Sequence, residues 1–260
     1  MKLSMFNFLN KLPKSFIKKP LAHRGFHDCN GNFSKGSGPE NSRESIVHAI
    51  NNGLGIEIDV RFTKDYVPIV IHDDYLKRLC GVENYLSNYN YNEIKLLKLK
   101  NNESLPTLSE ILSIVNGKSP ILIEFKKLNK TQDQKFLKKE LYSLLINYLG
   151  PKAVMSFDLK LISYLSTKLP NIQRGLVLER YDYVKKIYSS NAENLITENQ
   201  MQKNEISFVS FEYSKLTKEF YNINKIKKRN VIAWTINSKL EAIKMKNCCD
   251  TITFEGFKPI

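Results

Sequence analysis

Short β-branched and apolar runs recur along the whole chain, most of them separated by roughly 15 to 30 residues with helical periodicity. Nine such runs read as strands: "PLAHRG", "GIEIDV", "VPIVIHD", "PILIEFK", "AVMSFD", "RGLVLE", "SFVSFEY", "VIAWTIN" and "DTITFEG". A strand–helix alternation of this length suits a (β/α)8 barrel, which needs one strand fewer. The surplus strand identifies itself. Only "RFTKDY" separates "GIEIDV" from "VPIVIHD", and a parallel crossover takes about a dozen residues or more, so these two runs are expected to form a hairpin. The remaining eight βα steps make one barrel domain over residues 1–260, with residues 66–105 as an inserted hairpin and subdomain. A doubly wound sheet would carry a Gly-rich turn after its first strand, and "AHRGFHD" is not one. The helix "SRESIVHAINNG" is expected to begin at an Asn41 cap with Glu44 in the reciprocal position, and to stop at Gly53.

Polar residues fall on these strands at telling places. Side chains alternate along a strand, so Glu57 and Asp59 share one face while Ile56, Ile58 and Val60 share the other. In a barrel the apolar set packs against the helices, which leaves the two carboxylates inside, near the catalytic C-terminal end. "PILIEFK" repeats the spacing with Glu124 and Lys126, the first strand ends on His23 and Arg24, and the hairpin ends on His72. A single acid ending a strand is ordinarily a solvated rim residue, but the joint pattern concentrates three acids, two histidines, an arginine and a lysine at one rim.

Three inward carboxylates raise one another's pKa unless a cation joins them. All-oxygen ligation suits Mg2+ or Ca2+ better than zinc. With Arg24 and Lys126 added, a divalent ion would bring the formal site charge to about +1, ready for a singly charged phosphodiester. Two histidines could then serve as general base and general acid on opposite sides of phosphorus. Arg24 enters this group only if the strand has already turned at Gly25, because strict alternation puts it opposite His23.

The rest of the composition narrows the field. No apolar run approaches the roughly 18 to 20 residues of a membrane span, and "MKLSMFNFLNKLPKSFIKKP" lacks the cleavage site of a signal peptide. It reads at most as a weakly amphipathic segment able to touch a membrane surface. The four cysteines show no metal-type spacing and are expected as free thiols of a reducing cytoplasm. The net charge of +14 is spread over lysine-rich helical faces without interleaved aromatics, so no specific nucleic-acid partner is expected. Oligomeric state leaves no mark in the sequence.

The sequence resembles the glycerophosphodiester phosphodiesterase family along nearly its whole length. The matching motifs, in order, are "AHRG", "PENS", "IEIDVRFTKDYVPIVIHDDYLKRLCG", "LPTLSEIL", "LIEFK", "MSFD" and "AWTIN". The resemblance implies a (β/α)8 barrel with an inserted subdomain, and hydrolysis of glycerophosphodiesters to sn-glycerol 3-phosphate and an alcohol. It implies Glu57, Asp59 and Glu124 as ligands of one Mg2+ or Ca2+, His23 and His72 as the acid–base pair, Arg24 and Lys126 on the phosphate, and Trp234 lining the pocket. Glu40 and Asn41 are expected to shape their loop and cap the following helix. The chain departs from the family pattern in the long loop "FHDCNGNFSKGSG", whose His27 is expected to be structural or near substrate. It departs again in "KDY", which asks Tyr66 for an unusual turn conformation, and in "TITFEGF", which puts Glu255 at the rim. Attack by water and attack by the substrate's own hydroxyl through a cyclic phosphate both fit. The alternative is a lysophospholipase D-like enzyme working on lysophospholipids at a membrane surface.

Overall fold

The computed structural model describes residues 11–29, 37–129, 132–133, 137, 139–190 and 194–259. Residues 22–150 make one compact unit. Strand β1 (Leu21–Ala22) leads into it and the helix Arg43–Asn51 follows. That helix is capped by Ser42, whose hydroxyl accepts from Ser45 N at 3.1 Å while Ser45 Oγ accepts from Ser42 N at 3.2 Å. The expected Asn41–Glu44 cap is therefore wrong. Asn41 sits at φ 55°, outside the extended backbone that a cap residue needs, and its amide is engaged elsewhere. Gly53 ends the turn after the helix at φ 69°, where a Cβ would cost energy.

β2 (Gly55–Phe62) and β3 (Pro68–Val70) pair antiparallel, with Val60 opposite Val70 and Phe62 opposite Pro68. The expected hairpin is present, and Tyr66 makes its turn at φ 63°. Beyond β3 the chain folds into the short helices Lys77–Cys80 and Tyr91–Ile94 over an apolar cluster that includes Leu76, Leu79, Leu86 and Ile94. The helix Leu108–Val115, boxed by Thr107 and Glu110, leads to β4 (Ile121–Phe125), which runs parallel to β2. Ile56, Ile58, Val60, Ile121 and Ile123 are fully buried. Burying such side chains contributes about 1.5–3 kcal/mol each, which fixes the register of the two strands.

The second unit comprises residues 1–21 and 151–260. Its strands are β5 (Lys152–Ser156), β6 (Gln173–Leu178), β7 (Arg180–Asp182), β8 (Ile187–Ser189), β9 (Leu195–Thr197), β10 (Phe208–Glu212), β11 (Asn230–Ile236) and β12 (Thr251–Phe254). β5, β6, β10, β11 and β12 are successive parallel neighbours, joined through the helices Leu159–Lys168, Glu198–Lys203, Lys218–Ile226 and Lys239–Met245. At Gly175 of β6 an added Cβ would lie 2.2 Å from the Phe208 ring, so only glycine lets that ring cross the strand. β7, β8 and β9 form a separate antiparallel sheet that the sequence did not announce. It is held by rings: Tyr181 stands 4.7 Å from Tyr188 and 5.4 Å from Phe220.

The fold class is the (β/α)8 barrel, with β1, β2, β4, β5, β6, β10, β11 and β12 as its strands and β3 and the β7–β9 sheet as additions. Among the described residues no helix is long and apolar enough to cross a membrane, and no two cysteines are joined in a disulfide. The amphipathic reading of the N-terminus falls in part on residues 1–10, outside the described residues.

Candidate active site

Parallel pairing of β2 with β4 sets Asp59 directly beside Glu124. Glu57 lies two residues back on the same face of β2. All three are buried, at 1%, 0% and 6% exposure for Glu57, Asp59 and Glu124. One carboxylate oxygen from each falls within 4.8 Å of the others. Three buried acids this close are a costly arrangement, and the surrounding groups show how the cost is met.

Lys126, one residue past β4, places Nζ 2.7 Å from Asp59 Oδ1 and donates to Glu124 Oε1. Arg24 donates its backbone N–H to Glu57 Oε2 at 3.0 Å and brings Nε to 3.3 Å from Asp59 Oδ2. The strand has indeed turned by this point: Arg24 itself adopts φ 56° and Gly25 φ 81°. Asn41 clamps Asp59 from both ends. Its Nδ2 donates to Asp59 Oδ2 at 2.9 Å, and its Oδ1 accepts from the Asp59 backbone at 3.2 Å. Asn41 and Glu40 are thus more than loop and cap residues, because Glu40 accepts from Arg24 Nη1 at 2.9 Å. The only sequence signal for either role was the "PEN" motif, in which cap chemistry is the commoner meaning.

The electrostatics follow from this geometry. Burial, reinforced by the Asp59 charge, pushes the Glu57 carboxyl up to about 8. Burial also raises Glu124, against the opposing pull of Lys126. For Asp59 the same burial is outweighed by Lys126, His72 and Arg24, and its carboxyl is held well below the usual range. Lys126 is likewise buried, yet Asp59 and Glu124 hold it firmly protonated. The trio thus contains at least one carboxyl that two basic side chains do not keep ionised at neutral pH. A divalent cation would supply the missing charge, and a set of carboxylate oxygens alone is the donor set that Mg2+ or Ca2+ takes. The residues fit such an ion.

The two histidines flank this group. His23 lies close enough for its charge to act on Glu57, Asp59 and Glu124. His72 donates or accepts at Nδ1 with Asp73 Oδ1, 2.7 Å away, and its carbonyl accepts from Arg61 Nε at 2.5 Å. Burial lowers the His72 pKa, opposed by the Asp59 charge, so the ring is neutral at neutral pH. Arg61 and Asp73 were missed in the sequence, where each reads as an ordinary strand-end or loop charge.

His48 stacks on Phe26 at 4.6 Å and bonds its carbonyl, a structural role. His27 lies 4.0 Å from Cys29 Sγ through Nδ1. Every predicted site residue but one belongs to the 22–150 unit. Trp234 belongs to the other, on β11, half-buried and edge-on to Phe157 at 5.8 Å.

The family model for the glycerophosphoryl diester phosphodiesterase family matches residues 23–252. A glycerophosphodiester phosphodiesterase of Bacillus altitudinis is 34% identical over 121 residues, 44% of this chain and 46% of that one. Glycerophosphodiester phosphodiesterase 1 of Bos taurus is 33% identical over 104 residues, 36% and 29% of the two chains. The alignments therefore span less than half the length of these two relatives. Solved structures extend the likeness over the whole fold. A phosphodiesterase of Oleispira antarctica, in complex with the product sn-glycerol-3-phosphate, superposes with a TM-score of 0.77 at 21% identity, covering 93% of this chain and 94% of that one. A glycerophosphodiester phosphodiesterase of Parabacteroides distasonis gives 0.72 at 20% identity, covering 91% and 92%. With the family model reaching from His23 at the end of β1 to Ile252 in β12, the chain belongs to the glycerophosphoryl diester phosphodiesterase family.

Proposed function

We propose that this chain hydrolyses glycerophosphodiesters to sn-glycerol 3-phosphate and an alcohol, using one Mg2+ or Ca2+ held by Glu57, Asp59 and Glu124. The observation that carries the reading is the buried carboxylate trio ringed by Arg24, Lys126, His23 and His72 in one unit. When bound, the cation would polarise the phosphoryl oxygens and offset the charge that builds on them. Arg24 and Lys126 hold the non-bridging oxygens, where charge-assisted hydrogen bonds are strongest. His72, neutral and with one ring nitrogen turned to Asp73, takes the proton of the attacking hydroxyl through the other. That hydroxyl belongs either to water or to the substrate's glycerol. In the second case the departure of the alcohol leaves a cyclic phosphate, which water then opens to sn-glycerol 3-phosphate with the two histidines exchanging roles. As the phosphorus–oxygen bond to the alcohol breaks, His23 delivers a proton to the departing oxygen. The product named with the Oleispira antarctica structure is the product expected here.

The test is release of sn-glycerol 3-phosphate by purified protein from glycerophosphocholine, with lysophosphatidylcholine assayed in parallel. Release from the soluble diester, lost in His23→Ala and His72→Ala at unchanged thermal midpoint, is the expected result. Cleavage confined to lysophosphatidylcholine would replace the reading with the lysophospholipase alternative. Full activity in both histidine variants would remove the acid–base assignment.

A further inference from the structure

Arg78 lies in the inserted segment, on the helix Lys77–Cys80, five residues beyond the Asp73 that meets His72. All three nitrogens of its guanidinium donate. Nη1 and Nη2 donate to Glu40 Oε2 and Oε1 at 2.6 and 2.7 Å, a two-bond fork, and Nε donates to Asp73 Oδ2 at 2.6 Å. Each acid passes the contact on. Glu40 Oε1 also accepts from Arg24 Nη1 at 2.9 Å, and Asp73 Oδ1 meets His72 Nδ1 at 2.7 Å. The result is an unbroken line of hydrogen bonds through four alternating charges, Arg24, Glu40, Arg78 and Asp73, to the His72 ring.

We propose that Arg78 is a positioning residue that ties the phosphate-holding arginine to the proton-transferring histidine. This rests on the roles given above to Arg24 and His72. Its physical basis is the shape of guanidinium. A rigid planar fork satisfies two carboxylates on different edges at fixed angles, which the point charge of a lysine does not do. With Asp73 aimed by Arg78, the His72 proton sits on Nδ1 and the free electron pair sits on Nε2. With Glu40 shared between two arginines, it does not close on Arg24 alone and compete with phosphate for it. An isolated exposed ion pair is worth little. Here Glu40 is only 10% exposed, and both acids end on site residues. The insertion, whose apolar cluster has no chemistry of its own, thereby delivers a part of the site.

Removing Arg78 is expected to loosen the ring and not the chain, because Arg61 Nε holds the His72 carbonyl independently at 2.5 Å. The experiment compares wild type, Arg78→Lys, Arg78→Met, Asp73→Asn and the Arg78→Met/Asp73→Asn double variant. It reads kcat and KM on glycerophosphocholine and, separately, the nitrogen NMR shifts of the His72 ring in metal-free protein. Loss of an orienting carboxylate or its partner typically costs about 10- to 100-fold in activity. Arg78→Met is expected to lower kcat by that factor and raise KM, and Asp73→Asn to lower kcat alone. The double variant should lose little more kcat than Asp73→Asn does, and lysine should not rescue. In the NMR spectrum, wild-type His72 should show the Nδ1–H tautomer and Arg78→Met a mixture. Wild-type kinetics in Arg78→Met, or an unchanged tautomer, overturns the proposal. If the wild-type protein releases no sn-glycerol 3-phosphate, the functional reading fails, and the NMR comparison still decides whether Arg78 orients His72.

Discussion

Replacing Lys126 with methionine keeps most of its stem and deletes the ammonium that meets Asp59 and Glu124. In metal-free protein this leaves two buried carboxylates with one cation fewer, and breaking a buried pair from one side typically costs about 3–5 kcal/mol. A second route bounds the same quantity. The stranded Asp59 can escape by binding a proton, so its own share of the penalty is limited to the work of protonating it from its ordinary value of 3.8. At about 1.36 kcal/mol per pH unit that work is about 4 kcal/mol at pH 7 and about 1.6 kcal/mol at pH 5. The two estimates agree, and the sign is settled. Without Lys126 the buried Asp59 carboxyl is pushed above its unfolded value, so the penalty grows as pH rises above that value and shrinks as pH falls towards it. For a chain of this size, 1 kcal/mol moves the thermal midpoint by about 2–4 °C. Thermal unfolding in EDTA should therefore show Lys126→Met melting about 6–16 °C below wild type at pH 7, with a clearly smaller gap at pH 5. Saturating Mg2+ or Ca2+ should narrow the gap, because an ion among the carboxylates takes over their neutralisation. A metal-free variant melting within about 2 °C of wild type at pH 7 would refute the reasoning, as would a gap that does not shrink at pH 5.

Four further outcomes are expected. Because the Glu57 carboxyl is raised from 4.5 to about 8, metal binding near pH 7 should release close to one proton. Calorimetry in buffers of different ionisation enthalpy reads this, and the release should vanish above pH 9. The same shift means that native metal-free protein holds a proton the unfolded chain gives up, so its stability should fall as pH climbs through that window; a flat profile in EDTA would contradict it. Asn41→Leu removes both hydrogen bonds to Asp59 and should weaken metal binding about 10- to 100-fold by titration, with little effect if Asn41 served only the loop. Gly175→Ala should cost about 1–3 kcal/mol in denaturant unfolding, since its Cβ would stand 2.2 Å from the Phe208 ring.

The legible parts of this molecule are those where periodicity and length leave a single choice. The two-residue spacing of Glu57 and Asp59 on an otherwise apolar run, and the short "RFTKDY" link, were enough to place the acids and the hairpin. Caps were ambiguous for a physical reason. Asn41, Ser42 and Ser45 all carry cap-competent side chains, and only the tertiary pull of Asp59 on the Asn41 amide decides that Ser42 takes the role. The β7–β9 sheet escaped because strands of three residues each are too short for alternation to register. It is held instead by ring contacts between Tyr181, Tyr188 and Phe220. Asp73 and Arg78 were invisible as site residues because a lone charge, in a loop as at Asp73 or on a short helix as at Arg78, has the same sequence signature whether it is solvated or engaged with site residues.

The most direct measurement is sn-glycerol 3-phosphate release from glycerophosphocholine by EDTA-stripped wild type and Glu124→Gln, with Mg2+ or Ca2+ returned separately. The carboxylate trio predicts no release without metal, recovery with one of the ions, and a much weaker response in Glu124→Gln. Release that EDTA leaves undiminished, or none with either ion, would contradict it.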